Sequence, residues 1–242
     1  MQRLLKMTLL AAMGIFLITR ITSGAINFYI NQRFVPLTVL AAVGTAALAF
    51  GYWRQGEHHH DNHDHEDHDH DHNLTWIGLF IVMLPIILGY IVQPHPLGAA
   101  AMNNREISVG TLSSVAPPSG NDSMGLVAGE KNIMDWLGDF QRTNINTIAG
   151  EEAHVIGFVY RDERFAPNTF MVSRFVLSCC VADAAPVGLV VQTPNAADFA
   201  DDVWVDVHGR FQPGTFNNTT MPILIADTIE KTDTPAQPYL YR

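Results

Sequence analysis

Three apolar stretches crowd the first hundred residues of this chain and commit its N-terminal part to lipid. They run over residues 7–30, interrupted by Arg20, over 34–53 and over 74–92, the last two carrying no charge. About 20 apolar residues at about 1.5 Å rise match a hydrocarbon core of about 30 Å. The expected fold is membrane α plus soluble β: three N-terminal transmembrane helices over residues 1–102, then a small barrel. Pro85 should loosen the third helix and Pro94 and Pro96 should end it, because proline lacks an amide donor.

Arg3 and Lys6 ahead of the apolar run 7–18 also resemble the start of a secretory signal peptide. The run continues past Arg20 through Ile21, Ala25, Ile26 and Phe28, which favours a retained helix. An ionisable residue inside a span marks a functional site by default, so Arg20, with Asn27 on the same polar face, is expected to contact a partner helix. The plainer alternative has Arg20 reaching the headgroups. Arg3, Lys6 and Arg54 lie on one side of the spans, and Arg33 and Arg105 on the other. The positive-inside rule then places the N-terminus and the second loop in the cytoplasm and the C-terminal domain outside it.

That second loop, 57–73, contains the tract EHHHDNHDHEDHDHDH, with eight of the eleven histidines of the chain and seven carboxylates. Neutral imidazole ligates zinc, nickel and copper, and carboxylates add oxygen donors. His58, His59, His60, His63, His65, His68, His70 and His72 are therefore candidate ligands of a divalent metal, as many weak sites in place of one rigid cage. The same composition also makes a solvated loop that binds nothing.

Residues 103–130 are rich in Gly, Ser, Asn and Pro without periodicity and read as a linker. Residues 131–242 form the soluble domain. The apolar spacing in IMDWLGDFQ (133–141) predicts one short amphipathic helix. Five β-patterned segments follow, HVIGFVYRD, NTFMVSRFVLSCC, GLVVQT, DVWVDVHGRF and TMPILIADTIEKTD, with one long second strand. Five strands in about 80 residues suit a small barrel of the OB type, and a sandwich fragment is the alternative.

An OB-like barrel invites nucleic acid, and the charge opposes it: residues 131–242 hold fourteen acids against eight bases, where phosphate binding needs a positive footprint. GxGxxG, P-loop, HExxH and GxSxG motifs are absent, and no base–nucleophile pair stands out, so an enzyme is not expected.

Cys179 and Cys180 are the only cysteines. Adjacent strand residues point to opposite faces, so both thiols join one site only if the chain turns there, as Ala182-Asp183-Ala184-Ala185-Pro186 allows. Three readings stand: a soft-metal site of Cys179, Cys180 and Asp183 with His208 or His154, a redox-active vicinal pair, or two small packing residues.

These segments resemble the bacterial YcgQ-type family. The similarity runs through GFVYRD from Gly157, Asn168-Thr169-Phe170, Ser173-Arg174-Phe175, SCCVADAAPVGLVV at 178–191, VWVDVHGRF at 203–211 and QPYLY at 237–241. At the front, Phe28-Tyr29-Ile30-Asn31-Gln32-Arg33 is similar to a segment where the family commonly has His-Pro in place of Asn31-Gln32. Members are described as membrane subunits of two-component permeases. The resemblance implies a multi-pass bacterial membrane protein, an accessory subunit partnering a larger polytopic permease, and a link to zinc. Three helices without an internal repeat are too few for a transport path of their own, which agrees with a subunit role. The other reading is a membrane-anchored metal or thiol-redox protein that works alone.

Overall fold

A computed structural model describes residues 2–54, 76–102, 108–109 and 131–241 of the chain. The contacts divide it into two units, Met1–Asn27 with Gln32–His95, and Phe28–Asn31 with Pro96–Arg242.

The first unit holds α1 (Gln2–Thr22), α2 (Val35–Arg54) and α3 (Trp76–Ile91). Small residues bring α1 and α2 together: a side chain at Gly14 would meet Thr45 and Ala42, and Ala42 is buried. On α1 and α3, Phe16 and Tyr90 meet edge to face at 5.4 Å, and Arg20 lies over both rings at 5.2 and 5.8 Å. The segments Leu4–Thr22 and Gln32–Arg54 are long and apolar enough to cross a membrane, and such N-terminal helices suggest membrane association. In α3, which contains Pro85, the apolar stretch is the shorter Phe80–Ile91.

The first apolar run does not continue as one helix to residue 30. Gly24 takes a left-handed φ of 72° and its N–H bonds the Ile21 carbonyl, which stops α1 at Thr22. A separate 3-10 turn, Ala25–Phe28, follows. Arg20 therefore sits in the last turn of α1, where a cation favours the carbonyl end of the helix. Asn27 lies beyond that end, so the two do not share a helical face.

The second unit is a five-strand closed β-barrel. Its elements are α4 (Ala99–Met102), β1 (Ser108–Val109), α5 (Ile133–Arg142), α6 (Ile145–Ile148), β2 (Glu152–Tyr160), β3 (Thr169–Leu177), β4 (Ala185–Gln192), β5 (Trp204–Phe216), β6 (Thr219–Lys231) and β7 (Leu240–Tyr241). Around the barrel β2 pairs with β3, β3 with β4, β4 with β6, β6 with β5, and β5 with β2. All are antiparallel except β4–β6. The short β1 and β7 add in parallel to β4 and β3, so residues 108–109 of the expected linker are part of the barrel wall.

The amphipathic pattern of residues 133–141 forms α5. Asn132 caps it, accepting the N–H groups of Met134 and Asp135, while Asp135 accepts the Asn132 N–H. Its apolar face, Ile133, Met134, Trp136 and Leu137, joins inward residues of the strands such as Val155, Val172, Val207 and Phe211 in the main core. A second cluster, including Met102, Phe158, Phe175, Trp204 and Tyr239, buries another part of the wall.

The expected long second strand is the nine-residue β3, and the longest strands are β5 and β6, thirteen residues each. They are joined by Asn217 and Asn218, both at positive φ (46° and 63°), a two-residue turn whose twist suits a hairpin. The second barrel strand stops at Leu177 because residues 178–180 are drawn into a turn.

Candidate functional site

The turn after β3 is organised by one carboxylate. Asp183 accepts the N–H of Ser178 on Oδ1 at 2.9 Å, and those of Cys179 and Cys180 on Oδ2 at 2.7 and 3.2 Å. Three amides on one carboxylate bend the chain out of strand geometry, so adjacent cysteines no longer point to opposite faces. Their sulfurs come within 3.7 Å as free thiols, Cys179 exposed and Cys180 half-buried.

The turn rests on the segment before α2. Ile30 forms a β-bridge with Cys180. The Asn31 N–H donates to the Cys179 carbonyl at 2.9 Å, its side chain donates to the Ser178 carbonyl at 3.0 Å, and the Val181 N–H donates to the Tyr29 carbonyl. Asn31 is 3% exposed, a buried amide satisfied by backbone. The sequence marked it only as a departure from the family pattern, and nothing in its neighbours signals this structural use.

Electrostatics at the turn follow from that carboxylate. Its hydrogen bond with the Cys179 thiol, and then the hydrogen bond between the Cys179 and Cys180 thiols, push the Cys179 thiol up to about 11. Burial acts to raise the Asp183 carboxyl, but the Cys179 thiol and the three amides outweigh it and hold the carboxyl below its ordinary value. The free site is thus a protonated Cys179 thiol beside a carboxylate, with the Cys180 sulfur next to it. The two sulfurs and one carboxylate oxygen lie within 4.8 Å of one another, an open three-donor set of the kind thiophilic divalent ions occupy after displacing the thiol protons. With three amides and the Cys179 thiol on its oxygens, Asp183 shapes the turn and offers a lone pair to a metal only once the thiol proton is displaced.

The structure brings together Cys179, Cys180 and Asp183 and does not bring His154 or His208 to them. Those two histidines join Asp206 instead. Sequence reading missed Asp206, although Asp-Val-His in a strand places its first and third side chains on one face. His58, His59, His60, His63, His65, His68, His70 and His72 lie outside the described residues.

Two N-terminal apolar helices and a closed five-strand barrel with a vicinal dithiol at a strand end define a helix-bearing barrel protein. The chain belongs to the DUF1980 family: residues 5–108 match the DUF1980 N-terminal domain and residues 111–242 the DUF1980 C-terminal domain. It is similar to the UPF0703 protein YcgQ of Bacillus subtilis (strain 168), 31% identical over 121 residues that cover 47% of this chain and 38% of that relative. The match thus spans well under two thirds of the relative's length. The family match and this relative bear out the resemblance to the YcgQ-type family.

Proposed function

We propose that this chain is an accessory subunit of a two-component permease in the bacterial cell membrane, and that its barrel receives a divalent metal, zinc foremost, at Cys179 and Cys180. The observation that carries the reading is the pair of thiols 3.7 Å apart beside Asp183 at an accessible strand end. Such a site is open enough to take and release an ion. The His/Asp tract at 57–72 supplies a second, weaker pool of donors on the same chain.

Three spans support this reading better than two. Residues 29–31 hydrogen-bond the turn at 178–181, which supports a reading in which the loop between α1 and α2 and the barrel lie on one side of the bilayer. If α1 and α2 both cross, the chain must cross again between residues 54 and 96, and α3 is the helix available there. The weak basic bias then puts the barrel outside the cytoplasm and the His-rich loop inside. The strand order β2-β3-β4-β6-β5, closing on β2 with one parallel pair, supports an OB-type barrel.

The test uses the detergent-solubilised full chain with the eight loop histidines replaced by asparagine. Cobalt should produce sulfur-to-cobalt charge-transfer absorption that disappears in Cys179→Ser and in Cys180→Ser. Failure to see that band, together with a reversible Cys179–Cys180 disulfide, would transfer the site to the thiol-redox reading. Co-purification with a large hydrophobic partner tests the subunit role, and preparations that always lack one count against it.

A further inference from the structure

The outer wall of the barrel holds a second group of metal-binding residue types. His154 on β2 and His208 on β5 stand directly opposite each other in the ladder. Asp206 lies two residues before His208 and so on the same face. Their neighbours Val155, Val205 and Val207 point into the core, which fixes the outward direction of all three. A bulge between His208 and Gly209 sets the pairing with β6, and Gly209 has no room for a side chain because one would strike the Ile225 carbonyl.

His154 Nε2 is 2.7 Å and His208 Nε2 is 3.4 Å from the same oxygen, Asp206 Oδ1. Yet His154 Nε2 and Asp206 Oδ1 are both buried atoms that make no hydrogen bond among the described residues, so at 2.7 Å their donor and acceptor directions do not align. Two polar atoms buried in contact without a hydrogen bond are costly unless a third species joins them. The charge pattern indicates its sign. Glu230 on β6 is paired directly opposite Asp206, and like charges in that register destabilise a sheet. Asp227, the extra residue of the bulge, is exposed beside Thr228, the partner of His208. The cavity of about 170 Å³ that His154 also lines carries Lys131 and Arg174, so a cation is drawn to the carboxylates and not into it.

We infer that His154, Asp206 and His208 form a divalent-metal site of two imidazoles and one carboxylate on the barrel wall, distinct from the thiol turn and harder in its donors. A metal at about 2.0–2.2 Å from each donor sets tetrahedral donors about 3.3 Å apart. The His208–Asp206 separation already matches. His154 must withdraw by about half an ångström. The rings stack at 4.0 Å with planes 11° apart, so the more exposed His208 ring tilts until both lone pairs converge. Two imidazoles and a carboxylate leave a coordination position for water or for Glu230, and suit zinc, iron(II) or cobalt(II) over the softest ions.

This inference does not depend on the thiols. It is tested in the full chain in detergent with Cys179, Cys180 and the eight loop histidines all replaced, using Co²⁺ and Zn²⁺ alone as probes. One equivalent of cobalt should bind with ligand-field bands and no sulfur charge transfer, and zinc should displace it. His154→Gln, His208→Gln and the near-isosteric Asp206→Asn should each weaken cobalt binding by more than about tenfold, with melting temperature confirming that each variant is folded. If one variant does not fold, the other two decide. Absence of a bound equivalent, or its retention by a folded variant, overturns the inference.

Discussion

Asp183 receives the Cys179 N–H at 2.7 Å and the thiol proton of the same residue, so one carboxylate both shapes the turn and suppresses the nucleophile. The thiolate is the reactive species. Raising the thiol from its ordinary 9.0 to about 11 makes Cys179 slow to alkylate near neutral pH despite its exposure. The rate should climb with pH and approach its plateau only above about 11. Asp183→Asn should move that profile to lower pH, as followed by maleimide labelling in a Cys180→Ser background. The sign for stability is fixed as well: between 9.0 and about 11 the folded chain binds more protons than the unfolded one, so stability falls as pH rises through that window. A profile centred near 9 in the unaltered turn would sink this account.

Arg174 and Tyr239 should act together as a clamp on the C-terminal segment. Arg174 donates from Nε to the Pro238 carbonyl at 3.1 Å and from Nη2 to the Gln237 carbonyl, and lies over Trp204 at 5.8 Å. Burial pushes its guanidinium down to about 10, and the nearby Tyr241 opposes that fall, so the group still carries its charge at neutral pH. The Tyr239 hydroxyl accepts the Leu97 N–H at 2.9 Å and donates to the Phe28 carbonyl at 3.2 Å. Arg174→Lys loses the planar fork and Tyr239→Phe loses both hydrogen bonds. Each should cost about 1–3 kcal/mol, read as earlier proteolysis at residues 232–238 and a lower denaturation midpoint. Variants as resistant as the parent would remove the clamp.

Phe211 closes the barrel under α5. Its ring lies 4.8 Å from that of Trp136 and 5.2 Å from that of Phe140, both edge to face, and it is fully buried. Phe211→Ala leaves a cavity between helix and wall and should destabilise the chain by about 3–5 kcal/mol. Phe211→Leu, which keeps much of the volume, should cost less than half as much. Equal losses for the two, measured by denaturant titration, would show that the ring is not packed as described.

The strands were legible in the sequence because each apolar run is short, β-branched and bounded by Gly, Pro, Asn or Asp. α5 was legible because its apolar positions recur at helical spacing. Strand lengths were not. Pro213 and Pro222 sit paired inside the long β5–β6 hairpin, where sequence rules end strands, and the Asp183 turn withdraws Ser178, Cys179 and Cys180 from a run that otherwise reads as strand. The dithiol was legible as a pair, since two cysteines side by side need only a turn. The His154–Asp206–His208 group was hidden because it depends on the register between β2 and β5, which is settled by barrel closure and a bulge and not by any local pattern.

The pairing of residues 29–31 with the turn at 178–181 also sets the expected membrane topology. Ile30 bridges Cys180 and the Asn31 N–H bonds the Cys179 carbonyl, so under the proposed triple-pass arrangement the first loop and the barrel are expected in one compartment. Single-cysteine reporters in a Cys179→Ser/Cys180→Ser background separate the possibilities. Reporters at Gly24 and Thr234 should react with a membrane-impermeant maleimide from the same side, the periplasmic or outer one. A reporter at His65 should react only after the membrane is opened. The bridge itself makes a second readout: cysteines placed at Ile30 and Cys180 alone should cross-link on oxidation in whole cells. If Gly24 and Thr234 label from opposite sides, α3 does not cross and the triple-pass arrangement fails.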